Sequence, residues 1–522
     1  MKRKFSISLI CLIAGLTLFA QNRDTTQPVT IIKSNNLYWK RISPDTELQI
    51  LSGDVKLRQG NTLFSCDSCI INNTTNIFEA FGRVHISEDT TDVHSNYLRY
   101  YISSKMAYLS GNVRLTDGEA TLTTPDLEYD VTNKIGTYKN GGRVVNKKSV
   151  LTSREGTYYT DLKDIYFRHN VELKDPSYYL KSDSLIYNSE TQIARFIADT
   201  YIKDSTGRVI RTREGYYDVA KSHAEFFSRT TVEDGSMIAS ADRMASDDST
   251  GIIQMEGRAV VNDTAQGQTV IADVIWVDKK NDRFLATVNP LMIIKQDEDS
   301  IYVRADTLFS ARLTELYKND SAMLALLNLN EKDSTNRYFE AYRNVRVFSD
   351  SMQAASDSLY YSFKDSTFHL YYDPVVWSKK SQITGDTIFL YTKNKKADRV
   401  RVLENSFIAD EVEPGIYQQI KSSFINGFFK EGQLDSVRAE GLAESIYFLQ
   451  DEDSAYTGVN KTSSDAIDIY FEGGELDKVV FRSELKGTLY PMNHKPPSQM
   501  RLAGFRWLDG RRPKTKYEMF EN

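Results

Sequence analysis

Residues 110–129 read Ser-Gly-Asn-Val-Arg-Leu-Thr-Asp-Gly-Glu-Ala-Thr-Leu-Thr-Thr-Pro-Asp-Leu-Glu-Tyr. Val113-Arg114-Leu115 alternates apolar and charged side chains, so an extended strand puts the apolar ones on one face. Gly111-Asn112 and Asp117-Gly118 bracket that strand with turn-forming residues. The stretch closes on an acid and a second apolar set, Asp126-Leu127-Glu128-Tyr129.

Both halves recur. Copies of the first are Gly53-Asp-Val55-Lys-Leu57, Gly82-Arg-Val84-His-Ile86 and Gly142-Arg-Val144-Val145. His169-Asn-Val171-Glu-Leu173 and Arg343-Asn-Val345-Arg-Val347 lack the Gly. The valines at 55, 84, 113, 144 and 171 are 29, 29, 31 and 27 residues apart. Weaker copies fall at Tyr201, Thr231, Ala259, Leu291, Val375, Phe407 and Leu442. The second half recurs as Ser182-Asp183-Ser-Leu185-Ile-Tyr187, Ala305-Asp306-Thr-Leu308-Phe309, Ser356-Asp357-Ser-Leu359-Tyr360 and Gly385-Asp386-Thr-Ile388-Phe389. About thirteen units of this size mark an array in which each unit buries its apolar face against its neighbours.

The array is all-β. The 31 Tyr, 25 Phe and only 11 Pro favour strands. The rhythm breaks once, over the 54 residues from Leu291 to Val345. There Thr314-Glu-Leu-Tyr317 and Met323-Leu-Ala-Leu-Leu327 suit a short helix. The expected organisation is a first block of repeats at 45–310, an insertion or hinge at 311–338 and a second block at 339–490. A linker at 21–44 precedes them, and a short basic, aromatic tail at 491–522 follows.

Met1-Lys-Arg-Lys4, the apolar run Phe5–Phe19 and Ala20 have the form of a cleavable secretory signal, residues 1–20. The run is short for a membrane span. Cys11 lies inside it rather than at its end, which argues against lipidation. A mature chain starting near Gln21 keeps only Cys66 and Cys69, read as a local disulfide or two buried thiols.

Little points to catalysis. The net charge of -6 leaves no basic footprint for nucleic acid. The six His (85, 94, 169, 223, 369, 494) form no metal-spaced set, and no nucleophile elbow or phosphate loop is present. An acid recurs once per unit (Asp126, Glu155, Glu214, Asp242, Asp273), where a catalytic pair would occur once. Its expected role is a strand corner, accepting backbone N–H groups. No catalytic residue, metal or cofactor is expected.

Thirty residues suit two long bent strands better than a propeller blade. At this point the chain resembles the OstA/LptA family of lipopolysaccharide carriers, over residues 45–490. Residues 110–129, 180–201 and 439–467 carry the likeness most clearly. The resemblance implies an elongated antiparallel jelly-roll array, V-shaped, with an apolar groove open along one side. It implies a non-catalytic periplasmic bridge that takes lipid A acyl chains inside and leaves sugars outside; the short tail departs from the family's barrel-bearing member, so a bridge and no barrel is expected. Thirteen two-strand units span about 125 Å at ~4.8 Å per strand. On this reading Leu98, Leu127, Tyr129, Leu185, Tyr187, Leu308 and Leu359 line the groove, and a charge at Leu185 abolishes lipid binding without unfolding the array. Unpaired strands at Glu47–Leu57 and Lys478–Leu489 are the expected docking edges for transport partners or further copies. The competing reading is a structural scaffold or adhesin without cargo. A β-helical polysaccharide lyase is weaker, because no clustered catalytic set is present.

Overall fold

The computed structural model of the chain describes residues 27–295, 300–329, 333, 335–393, 396–430, 433–453, 455–472, 475–493 and 499–521. The secretory signal and His494 lie outside the described residues. Two compact units are present: Met1–Lys147 with Glu155–Lys163, and Lys148–Arg154 with Asp164–Asn522. The division falls near residue 150 rather than at the expected hinge.

The first unit is a run of antiparallel neighbours. β1 (Thr30–Lys33) and β2 (Asn36–Ser43) both pair with β3 (Thr46–Gln59). Then β3, β4 (Thr62–Asn72), β5 (Ile77–Glu88), β6 (Thr91–Tyr101), β7 (Met106–Thr116) and β8 (Ala120–Asp130) pair in order. Residues expected as a linker are thus strands. They cover β3, so Glu47–Leu57 is not the free edge; among the described residues β1 and β2 are.

The Gly-x-Val motif has a conformational cause. In the copies at Gly53, Gly82 and Gly111 the two residues before the valine are both left-handed: Gly82 and Arg83 have φ of 73° and 43°, Gly111 and Asn112 of 77° and 54°. Each pair forms a bulge at which the register slips, between Phe81 and Val84 and between Ser110 and Val113. Glycine suits the first position because φ is positive and because the side chain of Asn96 lies about 3.1 Å from where a Cβ on Gly111 would stand.

The bulge lets each strand fold over on itself. Phe64 pairs in register with Ile86, yet its ring meets Phe78, on the other half of β5, at 5.2 Å. Tyr100 packs tilted against both rings, at 4.8 and 4.9 Å. The half-strands on either side of the bulge therefore face each other, and their inner side chains form the core.

The recurring acid sits beneath the bulge of the following strand. Asp67 pairs with Arg83 at 2.6 Å and Asp242 with Arg258 at 2.8 Å. Asn344 donates to Asp306 at 3.1 Å and Asn405 to Asp386 at 3.0 Å. The acid's own N–H reaches the bulge carbonyl, as from Asp306 to Arg343 and Asp386 to Glu404, each at 3.0 Å. This corner role differs from the one expected: in these copies the carboxylate accepts from side chains.

The second unit repeats the pattern. In its middle, residues 311–338 hold α1 (Leu313–Leu316) and α2 (Ser321–Leu327). The strands on either side pair directly, Thr307–Ala311 with Tyr338–Phe348. The insertion is therefore an excursion from an unbroken ladder. Leu313, Tyr317 and Leu329 pack it onto Phe309, Tyr338 and Tyr360.

Candidate functional site

The inner face is the largest apolar feature of each unit. In the first, Leu51, Cys69, Ala80, Leu98, Leu109 and Leu127 stand opposite one another in register on one side of the bulges. Leu57, Phe64, Ile86, Val93, Leu115, Leu122 and Val144 form the row on the other side. In the second unit one row runs without interruption from Phe167 through Leu185, Phe196, Gly215, Phe226, Met244, Met255, Ile275 and Ala286. It continues through Leu308, Ala341, Leu359, Leu370, Ile388, Val402, Ile425, Ala439, Ile467 and Phe481. Only Gly215 lacks an apolar side chain.

All seven residues expected to line a groove lie on this face. Leu98, Leu185, Tyr187 and Leu308 are fully buried, and Leu127, Tyr129 and Leu359 are at most 3% exposed. The face is closed in this state. Leu185 sits between Phe167 and Phe196. A charge there would be an unpaired buried carboxylate costing several kcal/mol, so the expectation that the array tolerates it is corrected.

Polar side chains clasp the lips of the first unit. Tyr100 Oη donates to Gln59 Oε1 at 2.5 Å, and Gln59 Nε2 donates to the Ile102 carbonyl at 3.0 Å. Lys163 Nζ donates to the Asp117 carbonyl at 2.7 Å. Burial pushes the Tyr129 hydroxyl up to about 12. Sequence reasoning missed this clasp, although Gln59 follows Val55 and Leu57 at the spacing of the inner face.

The outer face is exposed in the first unit, Phe81, Tyr101 and Tyr108 included, but buried over part of the second. Between Leu291 and Val459 it carries Phe348, Ala355, Val375, Trp377, Phe407, Ala409, Ile446 and Phe448, all buried. Their cover is the C-terminal segment 499–521, through Met500, Leu502, Leu508 and Met519. The missed signal is apolar residues on both faces, as in Val375-Val376-Trp377, where Val113-Arg114-Leu115 alternates.

Cys66 and Cys69 are buried free thiols facing the core. Their mutual hydrogen bond lowers Cys66 and raises Cys69. His85 and His94 stack at 4.2 Å, with His85 on Asp92 at 2.6 Å. Among the described residues no group of three or more His, Cys, Asp or Glu is placed to hold a metal ion, and no helix is long and apolar enough to cross a membrane. An open cleft of about 610 Å³ lies outside the bulges, where Lys181, Arg211, Arg213 and Arg229 stand near Asp183 and Asp199.

Residues 26–183 match the family described as OstA-like protein. Residues 152–283 match the family described as LptA/(LptD N-terminal domain) LPS transport protein. No curated protein sequence matches the chain. A solved structure, LptH, the LptA homologous periplasmic component of the lipopolysaccharide transport device from Pseudomonas aeruginosa, is similar to it at 12% identity. That match covers 33% of this chain and 82% of LptH, with a TM-score of 0.10, too low to carry an argument. The two family matches and the repeat they contain place residues 26–283 among OstA/LptA-like sequences.

Proposed function

We propose that the chain is a non-catalytic lipopolysaccharide carrier of the periplasm, with lipid A acyl chains received between the two inner rows. The observation that carries this is the row from Phe167 to Phe481. Nineteen positions in register, at ~4.8 Å per strand, give about 85 Å of apolar contour. Acyl chains cost about 0.8 kcal/mol per CH₂ exposed to water, so passage along such a row needs no cofactor and no bond chemistry. The family matches support the substrate class.

The closed interior adds a condition: the half-strands must part for cargo to enter. The cations of the outer cleft suit anionic sugar phosphates left outside. Partners would join at the terminal strands, β1 and β2 of the first unit and Glu475–Arg482 with Lys486–Pro491 of the second.

A closed, fully packed interior is also what a scaffold without cargo has. Fluorescently labelled lipopolysaccharide titrated into the purified chain separates the two. Saturable binding that unlabelled lipopolysaccharide competes away is expected. No binding at any concentration below aggregation of the lipid would leave the scaffold.

A further inference from the structure

The segment 499–521 runs back across the outer face of the second unit, perpendicular to the strands, and buried glutamines hold its backbone. Gln419 accepts from Leu502 N at 2.8 Å and donates to the Met500 carbonyl at 2.9 Å. Gln382 accepts from Leu508 N and donates to the Arg506 carbonyl, both at 2.7 Å. Gln353 Oε1 accepts from Arg512 Nε at 2.8 Å, and Arg304 donates to the Met519 carbonyl at 3.1 Å. Each anchor lies two strands from the next. Outside, Asp373 pairs with Arg506 at 2.8 Å and with Arg511 at 2.6 Å.

The segment also bears on the terminal edge. Among the described residues, strand Lys486–Pro491 pairs only with residues 458–463 of strand Tyr456–Glu472. Six residues long, with Leu489 65% exposed, it has little of its own to hold it there. Tyr490 and Met492 pack instead into the cluster formed by Met500, Leu502, Phe505 and Trp507 on Phe407, Phe448 and Val459. When the segment leaves, Tyr490 loses that cover, and the N–H and C=O groups of 458–463 are freed for another strand. A complementary strand exists at the other terminus. In β2, Leu37 stands opposite Leu51 of the inner row, and Leu37 and Trp39 are 45% and 61% exposed.

We propose that residues 499–521 are an autoinhibitory strap: docked, they keep strand 486–491 on its edge; released, they let that edge take strand 36–43 of a second copy. This rests on the part of the proposed function in which arrays dock by their terminal strands.

The test uses the full chain with the strap loosened in two ways, Gln382→Ala with Gln419→Ala, and Asp373→Lys, which spares every buried group. Hydrogen exchange is read at 486–491 and 499–521, and association by sedimentation velocity. Protection of both segments should fall together, and association should begin at a concentration about tenfold lower than in the unaltered chain. Trp39→Asp in the same chain should abolish it. The strap is overturned if 499–521 stays protected in both variants, if it opens while 486–491 does not, or if the loosened chains remain monomeric. Association that survives Trp39→Asp also overturns it. Labelled lipopolysaccharide, titrated in parallel, separates the two failures. Lipid binding without association sinks the strap alone; association without lipid binding sinks the carrier alone.

Discussion

Truncating Leu185 to Ala weighs how tightly the inner face is packed. The side chain is fully buried, with Phe167 and Phe196 as its cross-strand neighbours, and belongs to the longest apolar row in the chain. Removing three buried carbons costs their transfer free energy plus a cavity, about 2–5 kcal/mol in packed cores. Two aromatic neighbours fixed in sheet cannot collapse into the gap, which puts the expected cost in the upper half, about 3–5 kcal/mol. An array couples mainly between nearest neighbours, so the loss should appear first in strands Asp164–Asp175, Tyr178–Asn188 and Ile193–Phe196. Hydrogen exchange under native conditions reads it as a matching fall in opening free energy there, and urea unfolding as a lower midpoint. A cost below about 1 kcal/mol would refute the reasoning, since that is the range of exposed positions. The groove would then stand open at rest, and no parting of the half-strands would be needed.

Gly111→Ala should cost at least 1 kcal/mol, because φ is 77° and Asn96 crowds the Cβ position; a urea titration measures it, and Gly510→Ala, with nothing within 4 Å, is the neutral control. Burial is the main cause holding both His94 and His369 below the usual histidine range, with repulsion from His85 adding at His94. A depressed folded value means the unfolded chain binds more protons, so this stability is complete above pH ~6.5 and lost as pH falls through the folded values. The urea midpoint should drop from pH 7 to 5, and a double change of His94 and His369 to Gln should flatten that slope. Cys66 and Cys69 should resist a thiol reagent in the native chain and both react once it is unfolded, as their burial requires; rapid native labelling would contradict the packed core.

Val113-Arg114-Leu115 shows why the array was legible in its sequence: one strand with one buried face is written in two-residue alternation. The bulge was legible as Gly-x-Val but not its geometry, since two consecutive left-handed residues are not a pattern of polarity. The seven inner residues were legible for the same reason as the strands, while their closure was not. Closure depends on Phe64 of β4 meeting Phe78 of β5 across the facing half-strands. The free edge was misplaced because residues 30–43 carry exposed side chains on both faces, Leu37 and Tyr38 alike, which reads as linker. The strap was invisible because its anchors, Gln353, Gln382 and Gln419, meet residues more than eighty positions away. Only the second apolar face at Val375-Val376-Trp377 hinted that something covered it.

Lipid inside the array is the central claim, and photo-crosslinking in intact cells tests it most directly. A photoreactive aromatic residue at Tyr129 or Tyr187 replaces a ring already on the inner face, and a third at exposed Tyr108 serves as the outer control. Crosslinks to lipopolysaccharide from the two inner positions and none from Tyr108 are the predicted result. Crosslinks to protein alone from every inner position would contradict the account and leave the chain a scaffold.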